Sequence, residues 1–176
     1  MTAGEAVARY GRILVPVDGS ATASRGLQEA ARLARLTGAC LRLIHVLDAG
    51  DHGNGFETAA AYVDTILPRM LRDGRRILDE ARASVDDGAP HVSTLLLDKG
   101  VERLADVVVA QARAWHADLI VVGSHGRRGW DRLTMGSDAE QIVRCSPVPV
   151  LVVRTEGPGA DGEAERRPAI GAASVA

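Results

Sequence analysis

At 176 residues, with 46% apolar and 25% charged side chains, the chain has the size and composition of one globular domain. Aromatic residues make up only 3%, so Val, Leu, Ile and Ala have to build the core. The 21 Lys and Arg residues stand against 23 Asp and Glu, and the resulting formal charge of −2 excludes a broad basic face for duplex nucleic acid.

Arg12–Asp18 (RILVPVD) is a short apolar run ending in an acid and predicts a first strand. Ser20–Thr37 follows as a helix: Leu27, Ala30, Ala31, Leu33 and Ala34 recur at helical spacing, and Gly38 is placed to stop it. Ala39–Val46 (ACLRLIHV) predicts a second strand. Phe56–Val85 reads as mostly helical, with a kink or break at Pro68. His91–Leu97 (HVSTLLL) predicts a third strand, and Val101–Trp115 a helix with Leu104, Val107, Val108 and Ala112 on one side. Ala117–Gly123 (ADLIVVG) predicts a fourth strand, Ser137–Cys145 a shorter helix, and Val148–Arg154 (VPVLVVR) a fifth strand. From Thr155 onward, Pro158 and Pro168 sit among glycines, acids and alanines with no aromatic, which predicts a disordered tail. The organisation expected is an N-terminal extension over 1–10, one domain over 11–154, and the tail over 155–176.

Strands alternating with helices predict an α/β fold: a single open five-stranded parallel sheet, helices on both faces, joined by right-handed crossovers. The start of the chain has no basic segment leading into an apolar stretch, and no apolar run approaches the roughly 18 residues that span a bilayer. Cys40 and Cys145 form no CxxC pair and are expected as small buried hydrophobes in a reducing compartment. A soluble, cytoplasmic protein is the expectation.

Ligands of open parallel sheets bind outside the carboxyl ends of the strands. Asp18 ends the first predicted strand, Val46 the second, and Gly123 the fourth, where G-S-H-G-R-R-G-W-D-R-L-T-M-G-S begins. Gly123 and Gly126 lack side chains, which lets backbone N–H groups approach a ligand. Gly136 and Ser137 open a helix whose free N–H groups and partial positive charge suit phosphate. The same residues have a plain structural reading. Ser137-Asp-Ala-Glu140 is a capping box with Ser137 as N-cap, and Asp18 can cap Gly19 or Ser20 at a strand end. Ser124-His125 is read as loop rather than as nucleophile and base, because adjacent residues rarely aim at each other. His45, Asp48, Asp51 and His52 match no metal spacing and are read as a solvated loop. No metal ligand and no catalytic residue is assigned.

Gly123-x-x-Gly126, nine residues, then Gly136-Ser137 resembles the G-2x-G-9x-G-[S/T] signature of ATP-binding universal stress proteins. The flanks ILVPVDGS, ADLIVVGSHGRRG and SPVPVLVVR are similar to that family too, and the resemblance covers about residues 11–154. It implies strand order 3-2-1-4-5 with a crevice between the first and fourth strands. It also implies that Asp18 and the Val46 backbone hold adenosine, that Val122 and Gly123 lie along the nucleotide, and that Gly126, Gly136 and Ser137 meet the phosphates. Pro16, Val17, Ser124, His125, Arg127, Asp138 and Ala139 complete the candidate cofactor-binding set. The cofactor implied is ATP, with ADP and AMP as alternatives, together with Mg2+. A homodimer through Val148–Val153 is implied as well.

Where ATP-binding relatives often have an apolar residue and then a hydroxyl after Gly-Ser, this chain has Asp138 and Ala139. Asp138 brings negative charge towards the expected polyphosphate. The leading reading is a nucleotide-binding stress-response regulator; the alternatives are slow ATP hydrolysis and an interaction module that has lost ATP. Neither GxxxxGK[ST] nor SGGxDS occurs in the chain. Gly126-Arg-Arg-Gly129 is a GxxG like that of KH domains, but it follows a buried strand rather than joining two helices, so nucleic acid is not the expected partner.

Overall fold

The computed structural model describes residues 10–48, 61–85, 91–124 and 135–154. The aliphatic runs become strands β1 (Arg12–Pro16), β2 (Cys40–Leu47), β3 (Val92–Asp98), β4 (Leu119–Gly123) and β5 (Val150–Val153). They pair in parallel in the order β3-β2-β1-β4-β5. Residues of β1 alternate between two cores. Ile13 and Val15 pack with Leu27, Ala31, Ala34, Ile77 and Val121 on one face. Leu14 packs with Ile44, Ala105, Val108, Ile120 and Ile142 on the other. Both faces of a central strand are covered, so the sequence shows an unbroken apolar run instead of alternation.

The first face carries α1 (Ala21–Thr37) and α2 (Leu67–Ala83); the second carries α3 (Leu104–Ala114) and α4 (Ser137–Cys145). Gly38 ends α1 as expected, at φ 75°, with its N–H on the Ala34 carbonyl at 2.8 Å. Ser20 lies just outside α1 as its N-cap, accepting the Ala23 N–H at 3.1 Å. Pro68 follows the break expected in this helical stretch. It sits in the first turn of α2, after a wider π-helical turn over Tyr62–Ile66 in which the Leu67 N–H reaches the Tyr62 carbonyl. The wider turn re-routes the backbone bonds where proline has no donor to give. The earlier part of that predicted helix, 56–60, lies outside the described residues. The third helix starts later than the pattern implied, because Gly100 at φ 53° and a Glu102 N–H to Lys99 carbonyl bond make a turn first. Cys145, expected inside, is exposed on the last turn of α4, and Cys40 is half-buried.

The sheet opens unevenly at its carboxyl end. β1 stays paired with β2 up to Pro16↔Ile44, whereas its pairing with β4 stops at Leu14↔Ile120. The Val17 N–H donates to the Ile44 carbonyl at 2.8 Å, so by alternation Pro16 faces β4. Pro16 has no N–H to continue that ladder. The crevice at the strand-order reversal therefore begins at a proline. The proposed tail lies outside the described residues. Among the described residues no helix is long and apolar enough to cross a membrane.

Candidate nucleotide site

Three backbone segments meet at this crevice. The Val17 peptide is held by β2 on both sides: its N–H by Ile44, and its carbonyl by His45 Nδ1 at 2.7 Å. A carbonyl only accepts, so His45 carries its proton on Nδ1. His45 lies within β2, as the predicted second strand has it, but it is 8% exposed and does not share the solvated character read for the group His45, Asp48, Asp51 and His52. The run from Ala39 continues one residue past Val46, and the ring packs under α2 at Gly74, where an added Cβ would come within 3.0 Å of it. Asp48 belongs to a pair rather than to a metal group: its carboxylate meets Lys99 Nζ at 3.1 Å. Among the described residues no three His, Cys, Asp or Glu form a metal-binding group; Asp51 and His52 lie outside them.

Half-buried Asp18 follows Val17, and its Oδ1 accepts the Ser20 N–H at 2.9 Å. The strand-end cap foreseen for it is thus formed, and it feeds directly into the α1 N-cap. The Ile44 carbonyl faces β1, and the Leu47 carbonyl accepts the Lys99 N–H on the β3 side at 3.3 Å. Val46, two residues beyond Ile44, therefore turns its backbone N–H and C=O to the β1 side, past the point where β1 has ended.

Gly123 ends β4, but its lack of a side chain has a packing cause. A Cβ there would lie 2.7 Å from the Thr22 carbonyl carbon, 2.8 Å from its oxygen and 2.9 Å from the Ala23 nitrogen. The first turn of α1 rests on this glycine. Val122 is 4% exposed with its side chain in the second core, and since the Ile120 and Ser124 N–H groups donate to the Pro149 and Val153 carbonyls, its own backbone groups turn to β5.

Ser124 closes the glycine loop. Its N–H donates to the Val153 carbonyl at 2.8 Å, its own carbonyl accepts the Gly136 N–H at 2.8 Å, and it is 2% exposed. The end of β4 and the start of α4 are thus joined by a backbone bond. His125, Gly126 and Arg127 lie outside the described residues.

The N-cap of α4 is Gly136, at φ −62° and ψ 148°, and not Ser137 as the capping-box reading had it. The Gly136 carbonyl accepts the Glu140 N–H at 2.9 Å, while the Glu140 carboxylate turns to Arg144 at 3.0 Å instead of reaching back. Gly136 has no side chain with which to cap the helix, and among the described residues no side chain is seen to do so. The first-turn amides of an α-helix have no partner within the helix, and here they belong to Ser137, Asp138 and Ala139. Ser137 and Asp138 are exposed there; the Ala139 methyl is buried in the second core, so that residue offers its amide alone. A larger cavity of about 580 Å³, between the end of β3 and the outer side of α3, is lined by none of the sequence-predicted site residues.

Comparison with known proteins agrees with this architecture. Residues 9–154 match the Universal stress protein family. A universal stress protein from Thermus aquaticus is 32% identical over 142 residues, covering 81% of this chain and 97% of the relative. Universal stress protein UspA from Lactobacillus plantarum superposes with a TM-score of 0.72 at 26% identity, covering 84% of this chain and 99% of that one. The universal stress protein from Archaeoglobus fulgidus in complex with dAMP superposes with a TM-score of 0.60 at 25% identity, covering 82% and 98%. With its five parallel strands, their order and a family match spanning all the described residues, the chain belongs to the universal stress protein family.

Proposed function

We propose that this chain is an adenine-nucleotide-binding regulator that takes ATP in the β1/β4 crevice and acts in stress responses through occupancy rather than rapid turnover. The observation that carries the reading is the Ser124–Gly136 backbone bond, which brings the start of α4 to the carboxyl end of β4. The dAMP in the Archaeoglobus fulgidus relative supports an adenine ligand. In this reading Asp18 and the Val46 backbone hold adenosine, Val122 and Gly123 flank it, and Gly126, Gly136 and Ser137 take the phosphates. Mg2+ is proposed to accompany the nucleotide through its phosphates.

Calorimetry with ATP and Mg2+ tests the placement. Saturable binding is expected in the wild type and its loss in Gly126→Val, where a branched side chain takes the space the phosphates need. Equal affinity in both proteins rules this site out. Exposed Asp138, in the first turn of α4, favours the interaction-module alternative, and an absence of binding in the wild type would decide for it.

The proposal includes a homodimer through Val148–Val153. β5 is an edge strand of half-buried valines and leucine, and an apolar edge invites pairing. Light scattering should find a dimer at micromolar concentration, unchanged by deletion from Thr155; monomer alone rejects it.

A further inference from the structure

The charge of the chain is unevenly divided between the faces of the sheet. α1 carries Arg25, Arg32 and Arg35 against Glu29, and α2 carries Arg69, Arg72, Arg75, Arg76 and Arg82 against Asp73, Asp79 and Glu80. These two helices therefore cover the first face with a net charge of +4, in a chain whose total is −2. On the second face α3 and α4 carry Arg113 and Arg144 against Asp106, Asp138 and Glu140, a net of −1. Every arginine of α1 and α2 is exposed, and arginine keeps its charge at any working pH. Arg32, Arg69 and Arg76 each meet an acid of their own helix, Glu29 at 3.5 Å, Asp73 at 3.9 Å and Glu80 at 2.9 Å. Exposed pairs of this kind are weak and do not commit the arginines.

The chain supplies a complement to this face. Residues 155–165, TEGPGADGEAE, hold Glu156, Asp161, Glu163 and Glu165 and no basic residue, a net charge of −4. They lie outside the described residues, but the point from which they start is fixed. β5 ends at Val153, which packs against the first core, on the face of α1 and α2. Val153 is in register with Gly123, and the Thr22 backbone of α1 rests on Gly123. The acidic segment thus starts one strand away from the first turn of α1, with Arg25 in the turn that follows. Gly19, just before α1, leads on to α2: an added Cβ there would lie 3.6 Å from the side chain of Ile77, next in sequence to Arg75 and Arg76. Eleven extended residues reach up to about 36 Å. The step from β5 to β2, under α2, is three strand spacings, about 14 Å.

We propose that the acidic segment 155–165 docks across the exposed arginines of α1 and α2, with Arg25, Arg72 and Arg75 as its main partners. One exposed ion pair contributes little, but a short tether holds four acids at a millimolar effective concentration beside the face. The contact is electrostatic and salt releases it. While docked, the segment closes the arginine face to other polyanions. None of this depends on nucleotide binding.

Cleavage of the intact chain by a glutamate-specific protease tests the proposal, with mass spectrometry reading the cuts after Glu156, Glu163 and Glu165. A free peptide spanning residues 154–168 serves as the reference for protease activity at each salt concentration. At about 20 mM salt the segment in the chain should be cut about tenfold more slowly than the peptide, and at about 0.5 M salt equally fast. Arg72→Gln combined with Arg75→Gln should remove most of the protection at low salt; both positions are exposed, so the fold tolerates the change. Arg113→Gln combined with Arg144→Gln, on the other face, should leave the protection in place. Equal rates for chain and peptide at low salt overturn the proposal. Protection that survives high salt or the Arg72 and Arg75 substitutions overturns it too, as does an equal loss in the Arg113 and Arg144 variant. Protection that grows with protein concentration gives the face to the acidic segment of a second copy, and overturns docking within one chain.

Discussion

Gly123→Ala is expected to lower folding stability by about 3 kcal/mol, at the upper end of the usual cost of overpacking. The new Cβ would meet the Thr22 carbonyl carbon at 2.7 Å, its oxygen at 2.8 Å and the Ala23 nitrogen at 2.9 Å. All three are backbone atoms, so no rotamer change relieves the clash. Either α1 lifts from β4 or β4 shifts in the sheet. Gly26 makes the contact from the other side, where an added Cβ would lie 3.3 Å from the Gly123 nitrogen, so helix and strand touch through a pair of glycines. Lifting α1 also displaces Ser20 and, through the 2.9 Å bond to the Ser20 N–H, Asp18. Urea unfolding gives the number. Gly38→Ala is the control: it has φ 75° and no atom within 4 Å of the added Cβ, so its cost is backbone strain alone, about 1–2 kcal/mol. A Gly123→Ala loss no larger than that of Gly38→Ala would show that the α1–β4 approach is not as tight as the geometry states.

His45→Phe is expected to cost about 2 kcal/mol and to weaken adenine-nucleotide binding about tenfold. The phenyl ring keeps most of the volume under Gly74 but has no donor for the Val17 carbonyl. Val17 is 5% exposed, so that oxygen has little access to water as a substitute partner. An unsatisfied buried carbonyl is costly, and the chain between Val17 and Asp18 would move to relieve it. Val46 is the next residue along β2, so one ring lies beside both segments assigned to adenosine. Thermal unfolding and calorimetry on the same preparation separate the two effects. Lost stability with unchanged affinity would make His45 a core residue alone. No change in either would mean that the 2.7 Å bond does not organise the end of β1.

Some of this was legible from the chain itself. β1, β2 and β4 are buried on both faces, which forces continuous Val, Leu and Ile runs that stand out locally. Gly38 was legible because a left-handed stop is a local requirement. The α/β alternation and the glycine spacing of 123–137 follow from the same kind of short-range reading.

What the sequence could not decide were matters set by residues far apart in it. Gly136 and Ser137 are both acceptable N-caps; the structure places the cap at Gly136, whose N–H is bonded to the Ser124 carbonyl, so the N-cap residue has no side chain of its own to offer. His45 sits among Asp48, Asp51 and His52, a polar neighbourhood in one dimension, and only the packing of α2 against β2 makes it a buried donor. Gly123 was read for its place in the glycine loop, and only the packing shows that the first turn of α1, about 100 residues earlier, occupies the space of its missing side chain. Periodicity and turn chemistry act over a few residues and can be read directly. Strand register and helix packing join segments across the chain, and they alone determined which polar groups face one another.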